Sequence, residues 1–123
     1  MIRPSDILAE GRALLALPAS QRTEARRRTI ISRAYYAAFH FLRAHPCSQD
    51  YRKSGNTAAG MHRQFITFLA TQSDRRVVYA ADLLKTIYEN RVMADYHIGR
   101  DILPDLERRS VEDADYIMCE IFD

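Results

Sequence analysis

The stretch SQRTEARRRTIISRAYYAAFHFLR, residues 20–43, decides the fold. Within it Ile30, Ile31, Ala34, Tyr35, Ala37, Ala38, Phe41 and Leu42 recur at steps of three and four, the period of an α-helix with one broad apolar stripe. The small alanines in that stripe allow a neighbouring helix to approach closely. On the other side Arg22, Arg26, Thr29, Arg33, Tyr36, His40 and Arg43 follow the same steps and line one polar, cationic ridge. The His45-Pro46 dipeptide ends the helix, because the residue before a proline resists the α region.

Outward from this helix the same period recurs. Ser5, after Pro4, caps a helix over 5–17 whose apolar residues are Ile7, Leu8, Leu14, Leu15 and Leu17, and Pro18 stops it. Residues 45–60 have turn composition and no period, which predicts a loop. Further helices are predicted over 58–71 and 74–99. A last one over 110–122 is opened by a capping box from Ser110 to Asp113, with residues 102–107 read as a break around Pro104. The 4 Gly and 4 Pro are too few to punctuate a multi-stranded sandwich or barrel. Five helices with mostly short connections predict an all-α, four- to five-helix up-and-down bundle. The 123 residues form one domain, because a chain of this length supports a single core.

Arginine supplies 16 of the 18 cations, and only Lys53 and Lys85 are lysines. Its planar fork suits phosphate and carboxylate, so the excess fits an anion-binding protein; a codon bias toward arginine accounts for it equally well. The charge is also divided along the chain. Residues 1–63 carry ten Arg and one Lys against four acids, a balance of +7; residues 64–123 carry seven cations against twelve acids, −5. That division predicts a basic surface and an acidic one, suited to nucleic acid or to docking between copies of the chain. The 2 Cys, Cys47 and Cys119, form no CxxC pair and read as reduced thiols. With no apolar leader at the N-terminus and no membrane-length apolar run, the expected location is cytoplasmic, with no membrane partner. His40, His45, Cys47 and His62 match no zinc spacing, so neither a metal nor another cofactor is expected. No Gly-rich phosphate loop is present, and His62 reads as a helix-boundary histidine able to reach the second helix or a ligand.

The 74–99 helix carries an anomaly. Val77, Ala81, Leu84, Tyr88, Arg91, Asp95 and Ile98 share one stripe, so Arg91 and Asp95 project from a face that should be apolar. Burying both is costly unless they pair, and their i, i+4 spacing allows it. Such a pair either fixes helix register or marks a pocket where Arg91 meets an anion.

SRAYYAAFH at 32–40, His62 near the start of the following helix, and NRVMADYH at 90–97 together resemble the HEPN domain, and most closely its small stand-alone prokaryotic members. The resemblance spans roughly residues 5–98. It implies a HEPN-like helical bundle that forms a homodimer through the helices bearing these motifs. It also implies a metal-independent endoribonuclease, a toxin or phage-defence protein, whose partners are RNA and a nucleotidyltransferase-fold antitoxin. Carried onto this chain, the catalytic pair is Arg91 and His97, with Asn90, Asp95 and Tyr96 in support. His97 would activate the RNA 2′-hydroxyl or protonate the leaving oxygen, and Arg91 would stabilise the phosphorane charge. A separation of six places the two about 120° apart on a straight helix, so they meet only through a helix distortion or a second protomer. Val92 stands where ribonuclease members usually carry a polar residue. The alternative is a non-catalytic module that binds RNA or a nucleotide, or docks a nucleotidyltransferase. Arg26, Arg33, Tyr36 and His40 on the ridge are the candidate RNA- or nucleotide-binding residues in either case.

Overall fold

The computed structural model describes residues 1–53 and 60–123, and within these the chain is helical, with no strand. The helices are α1 (Pro4–Leu15), α2 (Glu24–Ala44), α3 (Gln49–Lys53), α4 (Met61–Ala70), α5 (Arg75–Tyr96) and α6 (Leu106–Cys119). The all-α bundle expected from the sequence is the observed architecture.

α2 forms its centre. Thr23 caps it, its Oγ1 accepting from the Arg26 amide at 3.3 Å, and the extended backbone of His45 before Pro46 ends it. α1, α5 and α6 all pack against α2, while α4 packs on α5. Every apolar-stripe residue of α2 is buried except Phe41, which is half-buried. Leu8, Phe65, Leu69, Val77, Leu84, Ile87, Val111 and Ile117 complete the main core from the surrounding helices. A smaller cluster of Ile31, Ala94, Ile102 and Leu106 joins the ends of α5 and α6 to the first half of α2.

Several boundaries depart from the sequence pattern. α1 runs Pro4–Leu15 with Arg3, not Ser5, at its N-cap, α2 begins at Glu24 rather than near Ser20, and α6 ends at Cys119 rather than 122. The expected 45–60 loop holds a 3₁₀ turn and α3, drawn in by the Ser48 hydroxyl, which donates to the Leu42 carbonyl at 2.5 Å, and by Tyr51 in the core. The third helix begins at Met61, after Gly60 at φ +82°; residues 58 and 59 of the expected range lie outside the described residues. α5 ends at Tyr96 rather than 99, and Ile98, assigned to its apolar stripe, lies beyond the helix and is 73% exposed. α6 begins four residues before the expected capping box, from Asp105 in the left-handed region at φ 60°. Asp is among the few residues that adopt that region readily. Ser110 is therefore an interior helix residue, fully buried, and accepts from the Asn90 amide nitrogen at 3.4 Å.

Two buried arginine clasps hold one end of the bundle, where α2 begins, α5 ends and α6 begins. Glu107, 4% exposed, accepts from Arg27 Nε at 2.8 Å and Nη2 at 3.1 Å, with Arg22 Nε at 3.9 Å. Arg28, 8% exposed, reaches across to the C-terminus of α5. Its Nη1 donates to the Ala94, Met93 and His97 carbonyls at 2.9, 3.3 and 3.4 Å; its Nη2 donates to Ile98 at 3.3 Å and Arg100 at 2.5 Å. A helix C-terminus leaves carbonyls without intrahelical partners and carries partial negative charge, and a guanidinium answers both. With the exposed Arg12–Asp115 pair, these contacts join cations of the first half to acids of the second. The opposed charge of the two halves is thus partly spent inside the chain.

Among the described residues no helix is long and apolar enough to cross a membrane.

Candidate functional site

Arg91 projects from α5 toward α2, and the residue is 8% exposed. Nε donates to Asp95 Oδ2 at 3.0 Å, so the i, i+4 pair expected from the spacing forms. Nη2 donates to the hydroxyls of Tyr36 at 2.5 Å and Tyr96 at 3.4 Å. The Arg91 Cζ atom lies 4.9 Å from the Tyr36 ring centre, 5.3 Å from that of Tyr96 and 5.8 Å from that of Tyr35. Each is within range of a cation–π attraction. Asp95 Oδ2 also accepts from Ser32 at 3.3 Å, tying the carboxylate back to α2. Burial opposes the Arg91 cation, but the Tyr36 and Tyr96 oxygens and Asp95 outweigh it and raise the guanidinium above its ordinary value. Nη1 has no partner among the described residues, yet it is not sealed from solvent.

The remaining candidates divide. Arg33 and His40 are exposed beside the half-buried Tyr36: the Arg33 guanidinium is 5.9 Å from that ring's centre, and the His40 ring stacks on it at 6.3 Å. Arg26 is exposed but spends Nη1 on the Gln21 carbonyl at 2.6 Å, and Arg22 donates to the Leu15 and Leu17 carbonyls. Arg43 turns inward over Phe39, Tyr51 and Phe65. The ridge is therefore continuous as a pattern, but only its middle, Arg33 to His40, stands open beside Arg91.

His97 does not join Arg91 within the chain. It caps the end of α5, with φ −108° and ψ 60°, and is exposed, while its carbonyl accepts from Arg28. Asn90 faces Ser110 on α6. Tyr96 is 66% exposed and reaches back with its hydroxyl to Arg91, at the rim of the cluster.

The imidazole that the fold does bring to this cluster is His62, from the first turn of α4. Its Nδ1 lies 2.7 Å from the Tyr35 hydroxyl, and its ring packs on Phe39, Tyr88 and Tyr36. Burial lowers its pKa, and Arg91, Arg43 and His40 lower it further, so it is neutral at pH 7. Burial likewise raises Tyr35 far above the ordinary phenol range. Of the two readings the sequence leaves for His62, contact with the second helix is the one the structure displays. Tyr35 belonged to the apolar stripe and gave no other sign of its polar contact. A groove of about 440 Å³ between α4 and α5, lined by Arg63, Thr67, Lys85 and Glu89 among others, shares Tyr88 with the cluster.

Comparison with known protein families, with characterised proteins and with solved structures found no match.

Proposed function

We propose that this chain is a HEPN-like module that binds single-stranded RNA across α2 and the second half of α5, with Arg91 gripping a phosphodiester. The observation that carries this reading is the division of labour within the Arg91 guanidinium. Nε and Nη2 are committed to Asp95, Tyr36 and Tyr96, which fix its plane, and Nη1 is left to a ligand. Arg28 offers the contrast: both of its terminal nitrogens are spent on carbonyls, as a structural arginine's are. A prepositioned guanidinium loses little side-chain freedom on gripping phosphate. Arg33 extends the cationic surface, and the exposed rings of His40 and Tyr96 offer stacking platforms for bases.

The test is binding of a fluorescently labelled single-stranded oligoribonucleotide in EDTA, followed by anisotropy over a salt series. Arg91→Ala is expected to weaken binding about tenfold and to lower the salt slope by about one. Unchanged affinity in that variant, with wild-type thermal stability, would remove the proposal.

Metal-independent cleavage by Arg91 and His97 is the second reading. It calls for His97 of one copy to face Arg91 of another, since the two are held apart in one chain. It is favoured by the exposed apolar side chains of Tyr96 and Ile98, which flank His97 in sequence and which a second copy would cover. In such a site the 2′-oxygen attacks phosphorus, the bond to the 5′-oxygen breaks, and His97 handles the proton. Mixing Arg91→Ala with His97→Ala protein restores one intact composite site per mixed dimer. Recovery of RNA cleavage in the mixture supports this reading, and inactive wild-type protein in EDTA excludes it.

A further inference from the structure

Tyr35 and His62 both lie in the stretches that carry the resemblance, but neither has been given a role in a site. Tyr35 is fully buried, and its hydroxyl has no hydrogen-bond partner among the described residues other than His62 Nδ1, at 2.7 Å. A buried hydroxyl hydrogen without an acceptor is costly, so the phenol donates and Nδ1 accepts. In a neutral imidazole the single hydrogen then resides on Nε2. Protonating Nδ1 would set two hydrogens against each other along this bond. The charged and titratable groups facing the ring are Tyr35, Tyr36, His40 and Arg43 from α2 and Tyr88 and Arg91 from α5, with no carboxylate among them to favour an imidazolium.

The ring itself has little freedom. Phe39 lies 4.6 Å away between ring centres, Tyr35 5.6 Å, Tyr88 6.0 Å and Tyr36 6.2 Å. Nε2 has no partner among the described residues and is not sealed from solvent. Tyr35 and Tyr36 contact both this ring and the Arg91 guanidinium. The cluster therefore carries two oriented donors, one charged and one neutral, both in contact with the same tyrosine pair.

We infer that His62 is a second ligand-binding residue, a neutral imidazole locked by Tyr35 so that Nε2–H donates to an oxygen acceptor on the ribonucleotide whose phosphate Arg91 holds. Tyr35 is the positioning residue. The inference rests on the RNA-binding reading above and adds to it a donor that contributes affinity without charge. A cationic contact changes both affinity and salt dependence, whereas a neutral one changes affinity alone.

The experiment has two arms on the full chain. Nitrogen NMR of ¹⁵N-histidine-labelled wild-type protein reads the tautomer directly, and the neutral His62 ring is expected as Nε2–H. Anisotropy with the labelled oligoribonucleotide reads the role. His62→Ala is expected to weaken binding about fivefold, the worth of one neutral hydrogen bond, with the wild-type salt slope. His62→Gln, which keeps an N–H donor, recovers part of that loss. Tyr35→Phe removes the donor that fixes the tautomer and lets the imidazole hydrogen move to Nδ1, so affinity falls toward that of His62→Ala. An Nδ1–H tautomer overturns the lock. Wild-type affinity in His62→Ala, alongside weakened binding in Arg91→Ala, overturns the role of His62 and leaves the RNA reading standing. If the wild-type chain binds no RNA, the RNA reading falls and this role falls with it.

Discussion

Arg28→Met is expected to lower the free energy of unfolding by about 3 kcal/mol, seen as a fall in the urea midpoint at an unchanged slope. Methionine replaces the stem of the side chain but none of its donors. Five carbonyls, from Met93 to Arg100, lose the guanidinium that collects them, and these belong to a helix end and the turn that follows it. Hydrogen bonds to a charged group contribute about 1.5–3 kcal/mol each, but those of one guanidinium are not additive. Its buried Nε lacks a partner, and that desolvation cost offsets part of the gain. Arg28→Lys is expected to recover only part of the loss, since an ammonium is a point charge without the fork that spans two sets of carbonyls. A midpoint unchanged in Arg28→Met would mean that water serves those carbonyls equally well.

Glu107→Gln is the second large effect, a loss of about 2 kcal/mol at pH 7. The amide keeps the shape of the carboxylate but leaves Arg27 and Arg22 facing a neutral group. Burial works to raise the Glu107 pKa, but the Arg27 hydrogen bonds and the neighbouring cations prevail and hold it below its ordinary value. A carboxyl depressed in the folded state stabilises the fold above its unfolded pKa, and that contribution disappears as pH falls through the folded value. The difference in stability between wild type and Glu107→Gln should therefore be full at neutral pH and shrink from about pH 5 downward. A difference that stays constant into acid would show that the charge on Glu107 is not what the variant removes.

The bundle was legible because periodicity, proline positions and the scarcity of glycine all pointed one way. Arg91 and Asp95 were legible for the same reason: charge on an apolar stripe is a local contradiction that only a pair resolves. Arg28 broke the same rule, lying three residues before Ile31 on its stripe, but among Arg26, Arg27 and Arg28 it reads as one of a solvated run. Glu107 shares a face with Ser110, Val111 and Ala114. That face was hidden because a plausible cap at Ser110 placed the helix start too late. The helix end at Tyr96 depends on a contact with Arg28, 66 to 72 residues away in sequence from the carbonyls of Ala94 and Arg100, and no local pattern reports it. The Tyr35–His62 bond joins α2 and α4 across 27 residues and was invisible for the same reason.

The pairing of Arg91 with Asp95 has a kinetic consequence. Together they carry no net charge, so beyond a few ångströms their field is that of a dipole and dies away quickly. An RNA binding as proposed would be drawn in instead by exposed cations such as Arg33 and Arg63. On the proposed RNA-binding reading, capture and retention fall to different side chains: the outer arginines would set how often encounters occur, and the caged one how long they last.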